Sequence, residues 1–276
     1  QYGDVPDSLP KAGQVLVKVR ACAINHLDIW VRRGWPGLKL AMPHWCGADV
    51  AGEVAQLGEG VTGWTIGRKV VVDPGVNTTE DEFTRRGEAS VSPGYHILGE
   101  QVRGGAADYL AVPAGNLLSM PENLDFPDAA APLLVSLAAW RMLIHRAGLK
   151  VGESVLIVGA GGGVNSMAIQ IAKLAGARVL VVGSGPEKLA LAESLGADGL
   201  IDRLKDENWS KAVFAWTDRR GVDVVVDNVG TTFPQSFRAA AKGGRILTVG
   251  NSGGPKFEID NRFVFGKHLS VIGSSM

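Results

Sequence analysis

Residues 154–165 read Ser-Val-Leu-Ile-Val-Gly-Ala-Gly-Gly-Gly-Val-Asn, and helical periodicity continues from Val164 to Ala175. Ser154 to Val158 is an apolar strand that runs directly into Gly159-Ala160-Gly161-Gly162-Gly163-Val164-Asn165. A phosphate approaches the N–H groups at a helix start closely only where no Cβ intervenes, so the strand–glycine turn–helix order points to a bound dinucleotide. No Gly-Lys-Ser/Thr follows at the spacing of a Walker A loop, which excludes that alternative. Beyond the turn the pattern alternates. Arg178–Val182, Val222–Asp227, Arg245–Val249 and Leu269–Ile272 read as strands, and Arg203 follows a further one. Glu187–Leu195, Trp209–Trp216 and Thr232–Ala241 read as helices, with Gly196 closing the first. Apolar strands alternating with amphipathic helices predict a parallel sheet covered on both faces.

Upstream the texture differs. Val15–Val19, Val50–Leu57, Lys69–Val72 and Ala107–Val112 read as short strands, punctuated by Gly58, Gly60, Gly63, Gly67 and Pro74-Gly75. Residues 76–105 are polar and irregular and form an excursion lobe. Ala129–Leu143 reads as one helix with Asp128 as its N-cap. The expected organisation is α/β: a β-rich domain over residues 1–125 and a doubly wound parallel-sheet domain over 126–276.

Composition narrows the function. Among 276 residues, 28 Lys+Arg balance 28 Asp+Glu, so the basic excess of a nonspecific nucleic-acid or anionic-membrane binder is missing. The longest apolar stretch, Ala129–Trp140, contains Pro132 and Ser136 and stops at Arg141, short of the ~20 residues of a membrane span. The only cysteines, Cys22 and Cys46, exclude a disulfide scaffold or an all-cysteine zinc site and suit a reducing compartment. The five histidines, His26, His44, His96, His145 and His268, show no paired metal-ligand spacing. The expected partner is a small molecule, with neither nucleic acid nor membrane.

An NAD site usually carries an acid at the end of the second strand to grip the ribose hydroxyls. Here that stretch is Val182-Gly183-Ser184-Gly185-Pro186-Glu187-Lys188, with no acid at the strand end. Ser184, Lys188 and Arg203 would instead accept a 2′-phosphate, so NADPH is expected over NADH. Asn228 and Val229 after one strand, and Gly250 and Asn251 after the next, lie where a nicotinamide sits in such a sheet.

Domain order, together with the strings Ala21-Cys22-Ala23-Ile24-Asn25-His26-Leu27-Asp28, Gly47-Ala48-Asp49-Val50-Ala51-Gly52 and Asp227-Asn228-Val229-Gly230, resembles the medium-chain dehydrogenase/reductase superfamily. The likeness falls on its zinc-type alcohol dehydrogenase and quinone oxidoreductase side. It implies a GroES-like catalytic domain, a Rossmann domain and a cleft between them. It also implies a natural chain that begins earlier and continues past Met276. Catalytic zinc in that family takes a Cys, a His and a later Cys or Asp; those places fall on Asn25, Ala48 and near Leu134, with Asp49 kept beside the second. The structural zinc spacing falls on Thr78, Asp81, Thr84 and Ser92. None of these is a zinc-binding set, so both zincs are expected to be absent.

Zinc-free relatives carry an Asn, an Asp three residues on and a Tyr two further; the corresponding residues are Asn25, Asp28 and Trp30. The resemblance assigns Asn25 to the substrate carbonyl, Asp28 to orienting its neighbours and His26 to the cofactor. Trp30 is no practical acid. Asn165 stands where the family has the last glycine of its fingerprint, and it is either accommodated or loosens the turn. The expected activity is zinc-independent, NADPH-dependent hydride transfer to a quinone or α,β-unsaturated carbonyl. The alternatives are an NADPH-binding protein with little turnover and a zinc-type alcohol dehydrogenase. A methyltransferase would need a ribose-binding acid that is missing here. A cytoplasmic homodimer or homotetramer is expected, its subunits paired through the apolar edge strand Leu269–Ile272.

Overall fold

The structure is a computed structural model that describes residues 3–5, 8–77, 79–254 and 256–276. The chain divides into two compact units, Gln1–Leu134 and Val135–Met276.

The first unit contains β1 (Gln14–Ala23), α1 (His26–Arg33), β2 (Asp49–Leu57), β3 (Lys69–Val72), β4 (Gly75–Asn77), α2 (Glu82–Arg85), β5 (Tyr95–Ile97), β6 (Tyr109–Pro113) and β7 (Leu117–Ser119). Its sheet has the order β6-β1-β2-β3-β7, antiparallel throughout. Alternate valines explain the core: Val15, Val17, Val50, Val54, Val70 and Val72 are all essentially inaccessible and pack together. Gly52 is required where β1 shifts register, because a Cβ there would lie 2.3 Å from the carbonyl oxygen of Lys18. β4 and β5 pair apart from this sheet, at the two ends of the lobe.

The lobe holds itself together around Asp81. Its carboxylate accepts from the backbone N–H groups of Phe83 and Thr84 and from the Ser92 hydroxyl, while Thr84 Oγ1 accepts from the Asp81 N–H. Asp81, Thr84 and Ser92 hold three of the four positions at the structural zinc spacing, and hydrogen bonds join them where that spacing anticipates a metal; Thr78 lies outside the described residues. The Thr84 amide, followed by the Ser92 hydroxyl, holds the Asp81 carboxyl below its ordinary range. Asp81→Ala is expected to expose the lobe: limited proteolysis should cut between residues 79 and 97 several-fold faster, while the sheet stays protected.

The expected single helix over 129–143 is three pieces: α3 (Phe126–Ala130), α4 (Leu133–Trp140) and a π-helical turn, Arg141–Arg146. Pro132 interrupts the ladder, and the N-cap is Asp125, whose side chain accepts from the N–H of Asp128. By length and composition Phe126–Arg146 could cross a membrane. Ala129 and Ala130 of this segment enter the core of the first unit and Ala139, Met142 and Leu143 that of the second, while Leu137 and Trp140 are exposed.

The second unit contains β8 (Ser154–Val158), α5 (Gly163–Leu174), β9 (Arg178–Gly183), α6 (Pro186–Ser194), β10 (Gly199–Asp202), α7 (Trp209–Trp216), β11 (Val222–Asp227), α8 (Phe233–Ala239), β12 (Ala240–Thr248), α9 (Asn261–Lys267) and β13 (Ser270–Gly273). Six parallel strands run in the order β10-β9-β8-β11-β12-β13. Val155 and Ile157 of β8 face one apolar layer, Leu156 and Val158 the other. Burial on both faces stabilises each such side chain by about 1.5–3 kcal/mol and explains the unbroken apolar run. Strand order reverses between β8 and β11, so the ligand crevice of such a sheet opens at their carboxyl ends.

Candidate active site

In the first unit, two residues far apart in sequence, Asn25 and Leu134, converge on the Asp49 carboxylate. β1 ends at Ala23, and Asn25 takes extended backbone angles as the N-cap of α1. Asp28 accepts the Asn25 N–H at 2.6 Å and, with its other oxygen, the Gly47 N–H at 3.0 Å. Gly47 has φ +101°, and a Cβ there would sit 2.6 Å from Cys22 Sγ, so only glycine fits. Asp28 thus fixes the start of α1 to the loop that delivers β2. The first residue of β2 is Asp49, paired in register with Ala23 and 1% exposed. Asn25 Nδ2 donates to Asp49 Oδ2 at 2.8 Å, and the Leu134 N–H donates to Oδ1 at 2.7 Å. Burial pushes the Asp49 carboxyl up to about 6, opposed by the bonds from Asn25 and Leu134 and aided by the nearby Asp28 charge.

By the family resemblance, the places of the catalytic zinc ligands fall on Asn25, Ala48 and near Leu134. Asp49 bonds directly to Asn25 and Leu134, and fully buried Ala48 precedes it in the chain. Apart from one carboxamide, these side chains offer no metal donor, and among the described residues no group of three His, Cys, Asp or Glu side chains could hold an ion. Burial raises the Cys22 thiol to about 11 and also raises Cys46, so without a metal both remain thiols near neutrality. Trp30 packs edge-on against exposed His26, with ring centroids 4.9 Å apart. A cleft of about 590 Å³ beside β6 in this unit is lined by none of Asn25, Asp28 and Asp49.

In the second unit the glycine turn is open where a phosphate needs it. Gly159 has φ +98°, Gly162 is the N-cap of α5, and nothing lies within 4 Å of the Cβ position of Gly162. By helix geometry the first N–H groups of α5, from Gly163, Val164 and Asn165, have no intrahelical acceptor and are free to meet an anion. A Cβ on Gly161 would touch the aliphatic stem of Lys188 at 3.4 Å, which places that side chain against the turn. Ala160 is buried beside Gly183. Arg203 donates its backbone N–H to the Gly183 carbonyl, and Ser184 follows Gly183 directly, so Ser184, Lys188 and Arg203 gather at the end of β9. One residue there went unremarked in the sequence: Asp202, the last residue of β10, in register with Gly183. Its Oδ1 accepts from the backbone of Gly185 and Leu204, so it serves its own loops.

Asn165 does not loosen the turn. It is buried, and its Nδ2 donates to the carbonyls of Val158 and Gly159 at 2.9 and 2.8 Å. Asn228 and Val229 follow β11 and Gly250 and Asn251 follow β12, all at strand carboxyl ends. Asp227, fully buried, accepts from the Val229 and Gly230 N–H groups and from the hydroxyls of Thr232 and Ser236.

Residues 11–122 match the family described as "Alcohol dehydrogenase GroES-like domain", and residues 163–276 match "Zinc-binding dehydrogenase". An NAD-dependent alcohol dehydrogenase of Sulfolobus acidocaldarius is 37% identical over 257 residues, covering 89% of this chain and 73% of that protein. This chain belongs to the medium-chain dehydrogenase/reductase superfamily. Other superfamily relatives include a crotonyl-CoA reductase of Streptomyces avermitilis, 31% identical over 98% of this chain and 69% of that protein. A quinone oxidoreductase of Homo sapiens is 29% identical over 99% and 74%. A solved superfamily structure, titled as an NAD-dependent alcohol dehydrogenase, superposes with TM-score 0.95 at 41% identity over 99% of this chain and 80% of that one. The chain is thus an oxidoreductase by family, with a GroES-like and a Rossmann-like part.

Proposed function

We propose that this oxidoreductase uses NADPH, without zinc, to reduce a quinone or an α,β-unsaturated carbonyl compound. One observation supports the reading: Asn25 and Leu134, at and near places where the family resemblance puts catalytic zinc ligands, both bond the Asp49 carboxylate, and the remaining place falls on Ala48, which has no donor. Without a Lewis acid, several kcal/mol of oxyanion stabilisation is missing for a simple ketone. A conjugated acceptor needs less, because the incoming charge spreads along the π system.

When bound, the cofactor supplies a hydride from its nicotinamide. The rest falls to the chain. First-turn amides of α5 hold the pyrophosphate, and Ser184, Lys188 and Arg203 form a pocket for the 2′-phosphate at the end of β9. Asn25 spends one Nδ2–H on Asp49 and offers the second to the acceptor carbonyl. Asp28 and Asp49 keep Asn25 in place. Trp30 holds no transferable proton, so the reduced acceptor takes its proton from water. Through the exposed edge strand β13, which among the described residues pairs only with β12, we propose a homodimer or homotetramer, and with both thiols free a cytoplasmic location.

Parallel fluorescence titrations with NADPH and NADH, followed by addition of 1,4-benzoquinone and an enal, test the reading. NADPH binding and its oxidation by either acceptor is the expected result. Binding without oxidation would leave a nucleotide-binding protein, and preference for NADH with alcohol oxidation would return it to the alcohol dehydrogenases. Lys188→Ala is expected to weaken NADPH about tenfold and NADH less than about twofold, because the ammonium is opposed only by the extra phosphate in that comparison.

A further inference from the structure

Two asparagines join the carboxyl ends of three strands across the point where strand order reverses. Asn165, at the start of α5, donates through both hydrogens of Nδ2 to Val158 and Gly159 at the end of β8. Its Oδ1 accepts from Asn228 Nδ2 at 3.0 Å, just beyond β11. Asn228 Oδ1 in turn accepts the Val249 N–H at 2.8 Å, just beyond β12, and its backbone carbonyl accepts the Ser252 N–H. Only one orientation of the two carboxamides satisfies these partners. Two carbonyls demand the NH2 of Asn165, and a backbone N–H demands the oxygen of Asn228. The pair is 63 residues apart in sequence, and Asn165 is 7% exposed, so no solvent competes for it.

We infer that Asn165 and Asn228 form a positioning relay that couples the phosphate turn to the loop 249–254, so that the nicotinamide half of the cofactor meets a loop already ordered by the turn. This deepens the nucleotide site proposed above and rests on that reading. The adenosine half depends on the end of β9, which the relay does not touch, and on the backbone amides of the turn, which the relay meets only through the Val158 and Gly159 carbonyls. The loops after β11 and β12 depend on the relay directly. Removing it should therefore penalise ligands that reach those loops and spare ligands that stop at the adenosine half.

The test uses the intact chain with Asn165→Ala, Asn228→Ala and the double variant. Asn165→Gly is a check on backbone effects, since glycine carries a helix penalty that alanine does not. Hydrogen exchange without nucleotide comes first. Asn165→Ala should raise exchange at the Val249 and Ser252 amides about tenfold or more, while β9 amides such as Val181 stay protected. Titration then compares NADPH and NADH with adenosine 2′,5′-bisphosphate and AMP. Dinucleotide affinity is expected to fall about tenfold in each single variant, fragment affinity less than about twofold, and the double variant should be no worse than either single. Unchanged exchange at Val249, equal losses for fragment and dinucleotide, or additive single effects would each overturn the relay. If exchange responds as expected but the unmutated chain binds neither dinucleotides nor fragments, the proposed cofactor is what fails.

Discussion

Asn25→Ala is expected to lower kcat for NADPH-dependent enone reduction about a hundredfold and to leave the affinity for NADPH unchanged. Loss of one preorganised donor to a developing oxyanion costs about 10²–10³ in kcat. Asn25 suits that role because its orientation is set twice, by its own N–H on Asp28 and by its Nδ2 on Asp49. Steady-state kinetics should place the loss in kcat, and unchanged turnover would remove Asn25 from the chemistry. The Asp49 support has a pH signature. Its carboxyl moves from 3.8 to about 6 in the folded chain, with burial the main cause and Asp28 and Cys22 the charged or titratable neighbours. The folded state therefore binds this proton more tightly than the unfolded chain does. Stability from this group is fully present below about pH 4 and is lost as pH rises to about 6, a change on the order of 3 kcal/mol. The charged form is also the one that accepts from both Asn25 and Leu134. Turnover should thus fall as pH drops through about 6, even as this group's contribution to stability rises. Asp49→Asn should abolish that acid limb and flatten the stability change, and an unchanged limb would assign the ionisation elsewhere.

Asp227→Ala is expected to destabilise the second unit by about 3–5 kcal/mol, the largest stability loss anticipated for a single side chain here. The carboxylate is fully buried at the end of β11 and gathers two backbone N–H groups and two hydroxyls. Its removal leaves four donors without their acceptor, two of them, the Gly230 N–H and the Ser236 hydroxyl, in buried surroundings, and unpaired buried groups cost more than a made bond returns. The melting transition of that unit should fall by roughly 10 °C. Asp227→Asn keeps a polar partner for some of the donors and should lose less. A loss under about 1 kcal/mol for Asp227→Ala would mean that the loop 228–232 is ordered by other contacts.

Long periodic segments were legible because one interaction dominates each. Ser154–Val158, Trp209–Trp216 and Val222–Asp227 match their expected bounds, being fixed by burial and turn residues alone. Three-residue strands such as β4, β5 and β7 carry no period to read, and they form because partners distant in sequence supply the ladder. β12 begins at Ala240 rather than Arg245, since Ala240 pairs with Val222 across a register shift that Gly243 and Gly244 disguise as a turn. The apolar stretch Ala129–Trp140 runs across Pro132, and the break there leaves no mark on it because the residues on both sides are apolar. In the site, local spacing was legible: Asn25 and Asp28 form a cap three residues apart. The bonds that define the site are not local. Leu134 reaches Asp49 across 85 positions and Asn228 reaches Asn165 across 63, and no pattern in a single sequence announces such pairs. Asp202 escaped notice for the same reason, because it stands at the end of the third strand of its sheet and acts beside the end of the second.

Zinc independence is the centre of the proposed function, and it is tested most directly by metal content measured alongside turnover. The purified chain should be dialysed against a strong chelator, analysed for zinc, and assayed with NADPH and an enal or 1,4-benzoquinone before and after zinc is restored. The expected result is far less than one zinc per chain and a rate that neither chelation nor added zinc alters. One tightly held zinc per chain, whose removal stops turnover and whose return restores it, would contradict the account.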